Sequence, residues 1–174
     1  MRRLSLTART AGETAATDEI EVALFTIEHA DLPAPIRLSS DPTERLSTDP
    51  LYYGTRSTWN GANRITDPYL FVIASVEVPS DLEDAPAEGV LVLENVTQDI
   101  SELLRSFTDR ARISMAVVLA SSPDLVEVEF RNMQITGASG DVGEVSVSFS
   151  RAPIEEESVP MDRFTKDRFP GLFR

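Results

Sequence analysis

Residues 89–121 read GVLVLENVTQDISELLRSFTDRARISMAVVLAS, and their pattern is strand, one short helix, strand. Gly89 to Leu93 is a compact apolar run, as expected of a strand buried on both faces. Asp99 is followed three residues later by Glu102, the spacing of a capping box. In that device the Asp oxygen takes an orphan amide at the helix start and the Glu reaches back. Ile100, Leu103, Leu104 and Phe107 fall at i, i+3, i+4 and i+7, one face of a helix, and are expected to form a helix-on-sheet core. Arg112 to Leu119 returns to extended, β-branched character. The stretch predicts a mainly β fold with one short amphipathic helix laid across a sheet.

The flanking sequence adds strands between two irregular ends. Residues 1–17 predict an N-terminal arm or short helix, because Leu4, Ala8 and Ala11 make only a weak apolar face. A β-rich domain over 18–152 follows. Glu19 to Glu28 alternates as a first strand, and Pro35 to Ser39 is a short second strand that should pair with it as a hairpin. The stretch 40–68 reads as a long inserted loop, with Asp-Pro turn signals at Asp41, Asp49 and Asp67. It holds Tyr52, Tyr53 and Trp59, and a long loop rich in aromatics is expected at a contact, the alternative being a loop that packs its aromatics on its own core. Tyr69 to Val78 reads as a single third strand ended by Pro79. Ser121 to Asp124 is a turn. In the strand from Leu125 to Ile135, Val126, Val128 and Phe130 point one way, and Glu127, Glu129 and Arg131 point to water. Gly137 to Asp141 reads as a glycine-rich turn into a last strand with Val145, Val147 and Phe149 on one side. Residues 153–174 are expected to form an extended docking tail. Its Phe164, Phe169, Leu172 and Phe173 need a surface to cover them, either their own sheet or a neighbour.

A chain of 174 residues is enough for one domain with a real core. No apolar run approaches the ~20 residues of a membrane helix. Cysteine is absent, which removes disulfides and thiolate chemistry and fits synthesis in a reducing cytoplasm. The single histidine, His29, has no nucleophile motif near it, so no catalytic residue, metal ligand or cofactor is assigned and no enzyme is expected. The formal charge is -13, from 29 acidic and 16 basic residues. Such a surface repels phosphate, which disfavours specific DNA binding; composition by itself favours plain solubility as its role, and a conduit that DNA slides past would also suit it.

Three stretches carry a resemblance to a known family. They are the opening MRRLSLTARTA with EIEVALFTIEHADLPAPIRLSSDP, the middle LVLENVTQDISELLRSF with ARISMAVVLASSPDLVEVE, and the ending MDRFTKDRFPGLFR. Together they resemble domain-of-unknown-function family 1833 of tailed phages and prophages, the middle stretch being the most specific part. Residues 42–66 depart from it, with a longer loop than the family pattern. The resemblance implies a minor structural protein of a long non-contractile tail, located in the virion at the tail tip. The fold it implies is a tail-tube-like β-sandwich or split β-barrel with one flanking helix. The partners it implies are copies of itself in a ring of three or six, the tail tube protein, the tape measure, and hub or central fibre proteins. DNA would pass nearby without specific binding, and no membrane is involved. Tyr52, Tyr53, Trp59, Phe164, Phe169, Leu172 and Phe173 are then the candidate subunit contacts. The rival expectation is a peripheral β-sandwich whose Tyr52, Tyr53 and Trp59 face a host glycan or receptor.

Overall fold

The computed structural model describes residues 4–77, 88–94, 111–141 and 144–150. The chain order is α1 (Leu6–Glu13), β1 (Glu21–Glu28), β2 (Ile36–Ser39), β3 (Glu44–Thr48), β4 (Leu51–Thr55), a one-turn 3-10 segment (Trp59–Gly61), β5 (Tyr69–Phe71), β6 (Ile73–Glu77), β7 (Glu88–Glu94), β8 (Arg112–Leu119), β9 (Ser122–Asp141) and β10 (Glu144–Ser150). The strands form one mixed sheet in the order β3-β4-β5-β2-β1-β8-β9-β10-β7-β6. The mainly β expectation therefore holds. The amphipathic helix expected over Asp99 to Asp109, with Ile100, Leu103, Leu104 and Phe107, lies outside the described residues, as does the tail carrying Phe164, Phe169, Leu172 and Phe173. The described helix is α1, within the arm where a short helix was expected. Ser5 caps it by accepting the Ala8 amide at 3.1 Å.

Central strands are buried on both faces because each alternates two apolar sets. In β1, Phe25 and Ile27 face one core, while Val22 and Leu24 face another. Strand β8 matches it residue by residue: Phe25 lies opposite Met115, Ile27 opposite Ile113, Leu24 opposite Ala116 and Val22 opposite Val118. The first core continues through Leu38, Met133, Val145, Val147, Phe149, Leu91, Leu93 and Val72. The expected β1–β2 hairpin forms, with Leu24 opposite Ser39 and Ile27 opposite Ile36. The turn after β8 is tighter than the Ser121 to Asp124 expected: it lies at Ala120 and Ser121, and Ser122 to Asp124 already belong to β9, with Leu119 opposite Ser122.

The sheet cannot be flat. In its strand order β5 and β6 stand seven positions apart. A flat sheet would hold them about 34 Å apart, at ~4.8 Å per step. Yet only Val72 separates Phe71 from Ile73 in the chain, a reach of roughly 7 Å. The sheet therefore curls round the first core until β6 returns to the neighbourhood of β2 and β5. Val72 marks the junction: its amide bonds the Ser39 carbonyl of β2 at 2.9 Å and its side chain enters the core. This overturns the single strand expected over Tyr69 to Val78. The apolar pattern there is continuous, but β5 pairs with β2 and β4 whereas β6 pairs with β7.

Three further corrections come from strand pairing. The inserted loop expected over 40–68 contains the β3–β4 hairpin, whose weak alternation hides it. The turn expected at Gly137 to Asp141 is strand: β9 runs on to Asp141 and pairs with β10 throughout. Gly140 is needed there because a Cβ would stand 2.2 Å from the Glu144 carbonyl oxygen of β10. Finally, β9 does not alternate cleanly. Val117 and Val118 of β8 oppose Val128 and Val126, so Glu127 is an extra residue in a bulge. The bulge flips the pattern, so that Val126 packs on the second core and Phe130 on the first. A second bulge holds Asn132 at φ 55, a conformation Asn tolerates, and its amide is taken by the Ser114 hydroxyl at 3.2 Å.

Candidate functional site

The second core lies on the outer side of the curled sheet, and residues 56–68 close it. Trp59, Ala62 and Tyr69 cover Val22, Leu24, Ala116 and Val118. The Trp59 and Tyr69 rings sit 6.0 Å apart, tilted by 34°. Tyr69 Oη donates to the Trp59 carbonyl at 2.7 Å, and Trp59 Nε1 points at Glu129 Oε2 at 3.5 Å. The ends of the segment are fastened to the start of β9. Ser57 Oγ donates to the Pro123 carbonyl at 2.6 Å, and the Thr58 amide donates to Asp124 Oδ1 at 2.7 Å. Arg64 stands 3.4 Å from Asp124 Oδ2.

These contacts set the local electrostatics. The Thr58 amide, aided by the Thr58 and Ser57 hydroxyls and Arg64, holds the Asp124 carboxyl below its usual range against the opposing effect of burial. The Arg131 hydrogen bond is the main cause that lowers Glu129. Burial raises Tyr69, and bonding to Thr26 and the charge of Arg37 only partly offset it.

Trp59 is therefore not an exposed contact residue of this chain; it is 5% exposed and part of its core. The same sequence admits both outcomes, because an aromatic in a polar loop packs inward whenever an uncovered apolar sheet face lies beneath it. Tyr52 and Tyr53 behave differently. They are 47% and 39% exposed, beside Leu51 at 56%. Three consecutive exposed residues mean that both faces of β4 meet solvent there. Only Gly54 and Thr55 of β4 pair with β5, so the rest of the β3–β4 ribbon projects beyond the body of the sheet. Gly54 sits at the root of the ribbon with φ 154, where a Cβ would lie 1.9 Å from the Tyr69 carbonyl oxygen. Exposed Tyr52 and Tyr53, on opposite faces, cannot form one flat aromatic platform with Trp59.

A residue missed by sequence reasoning is Glu127. It was expected to face water, yet it is 3% exposed. Its Oε2 accepts the Ser5 amide at 2.5 Å, which ties the N-terminal arm to the β9 bulge. Helix α1 itself buries no residue, and Leu6 is fully on the surface. Clean alternation in the sequence concealed the bulge that turns Glu127 inward.

His29 has a structural setting: its side chain is 4% exposed and Nδ1 accepts the Asp31 amide at 3.1 Å, closing a turn after β1. Among the described residues no three His, Cys, Asp or Glu side chains converge as a metal site, and no helix is long and apolar enough to cross a membrane. The features that remain are the projecting ribbon and the edges of β3 and β6 that no other described strand pairs. No protein-family model and no curated protein matches the chain. The family resemblance accordingly rests on the quoted residues alone.

Proposed function

We propose that this protein is a structural component of a long non-contractile phage tail. In this reading several copies form a ring at the tail tip that links the tail tube to the hub and surrounds the DNA channel. The observation that carries it is the form of the sheet: among the described residues it is curled but left open, with one edge of β3 and one of β6 unpaired and a ribbon extending past the body. Unpaired edges template pairing with further chains, and head-to-tail contacts of this kind close into rings. Each subunit is then a split barrel whose opening is completed by a neighbour. The charge of -13 supports a lumen past which DNA slides without adhering. The resemblance of the opening, middle and ending stretches to tail-tip proteins points the same way. Tail tube, tape measure and hub proteins are the expected neighbours in the virion, with synthesis in the bacterial cytoplasm. The glycan-binding alternative loses its central residue, since Trp59 is buried. Light scattering with negative-stain imaging of the purified protein tests the reading. A ring of three or six copies with a central hole is expected; a monomer at every concentration, with no rings when the tail tube protein is added, refutes it.

A further inference from the structure

The ring reading does not say which surfaces meet, and the two edges of the sheet do. Strand β3 pairs only with β4, and β6 only with β7, among the described residues. Each therefore presents one row of backbone groups that no other described strand pairs. An isolated two-stranded ribbon is marginal in water, and the end of the β3–β4 ribbon exposes both faces with Leu51, Tyr52 and Tyr53 upon it. Such a ribbon gains most from a third strand. The two edges also complement one another. Set antiparallel with Glu77 of β6 opposite Arg45 of β3, the two edges meet where β3 carries a bulge between Arg45 and Ser47. That alignment places an opposite-charge pair across the two edges, a favourable cross-strand pairing. Arg45 and Glu77 are both exposed, and no ion pair occupies either of them in the described structure. The same-strand alternatives are worse: β3 on β3 sets Arg45 against Arg45, or against a Glu44 whose carboxylate already holds Arg56 at 2.8 Å, and β6 on β6 gives no basic partner for Glu77.

We infer that β3 of one copy adds antiparallel to β6 of the next, with Arg45 against Glu77, so that the partner at both edges is a second copy of this chain. The inference rests on the ring reading for its closure, but the contact itself is a separate claim. Head-to-tail use of two different edges leaves each copy with one edge given and one received, the arrangement that closes a ring.

The chain contains no cysteine, so introduced thiols are the only ones present. Single variants Arg45→Cys and Glu77→Cys are mixed in equal amounts and oxidised mildly, alongside each variant alone and a mixture of Ile65→Cys with Glu77→Cys. Ile65 is exposed and lies on neither edge, so it reports chance collision. The mixed edge pair should give a reducible species of twice the 19.2 kDa chain mass, well above all three controls. A chain carrying both cysteines should give a ladder of higher species. Cross-linking of the edge pair no greater than that of the Ile65 mixture overturns the inference. As a second arm, Arg45→Glu should weaken association roughly twofold to fivefold or more, and adding Glu77→Arg to the same chain should restore it. Failure of the double variant to regain association also overturns it. The two readings fail separately. Rings that lack the 45–77 cross-link remove this contact and keep the ring, whereas cross-linked ladders from a protein absent from purified virions keep the contact and remove the tail assignment.

Discussion

Replacing Trp59 by alanine separates a core residue from a contact residue. Trp59 is 5% exposed and lies over Val22, Leu24, Ala116 and Val118 with its ring against Tyr69. A buried Trp withdraws roughly 200 Å² from water, and at about 25 cal/mol per Å² this is near 5 kcal/mol. Phe or Trp to Ala substitutions in cores cost about 3–5 kcal/mol, so partial collapse of the site brings the two figures together. The Nε1 contact to Glu129 is long at 3.5 Å and adds little. The backbone bonds of Trp59 to Ser57 and Tyr69 survive the substitution. Urea unfolding followed by far-UV circular dichroism measures the loss, because the variant removes the chain's single Trp and with it the fluorescence probe. With a slope of about 2 kcal/mol per molar urea, the midpoint should fall by roughly 1.5–2.5 M. A change under about 0.5 kcal/mol, the scale of ordinary surface substitutions, would refute the packing of residues 56–68 over the second core.

Gly54→Ala should destabilise by about 1–3 kcal/mol, since the new methyl group meets the Tyr69 backbone, whereas Gly12→Ala, with open space around it, should leave global unfolding unchanged. Equal midpoints for the two variants would contradict the close approach of Gly54 to the Tyr69 backbone. Tyr69→Phe removes the donor to the Trp59 carbonyl and should cost about 1–3 kcal/mol, measured in the same denaturation assay. Tyr69 has a raised folded-state pKa, so its contribution is complete below the ordinary tyrosine value of about 10 and fades as pH rises above it. The Tyr69→Phe variant should therefore lose less stability than the parent at alkaline pH. Asp124 has a lowered folded-state pKa, so its contribution is present above the ordinary Asp value of about 3.9 and fades as pH falls through the folded value. Asp124→Ala should lower the thermal midpoint at pH 7 and approach the parent at pH 3; a constant gap across that range would show that the Thr58 contacts do not depend on the charge.

Where the pattern is local, the sequence alone determined the outcome. The alternation of β1, the short β2 after its Pro-rich turn and the strand over Val145 to Phe149 follow from period-two burial and turn chemistry. The acidic charge and the absence of cysteine are also fixed by composition. What the sequence did not determine was which strand lies beside which. Tyr69 to Glu77 is one continuous apolar pattern, yet its two halves join opposite ends of the strand order, because periodicity specifies a face and not a neighbour. Glu127 turned inward because a bulge shifts the pattern by one residue, and a bulge is set by the partner strand rather than by local preference. Trp59 became core and Tyr52 and Tyr53 stayed exposed for the same kind of reason. The apolar outer face of β1 and β8 lies beneath Trp59, while past Gly54 no third strand supports the ribbon among the described residues. Burial depends on what the rest of the chain brings alongside, and only the curled sheet decided that.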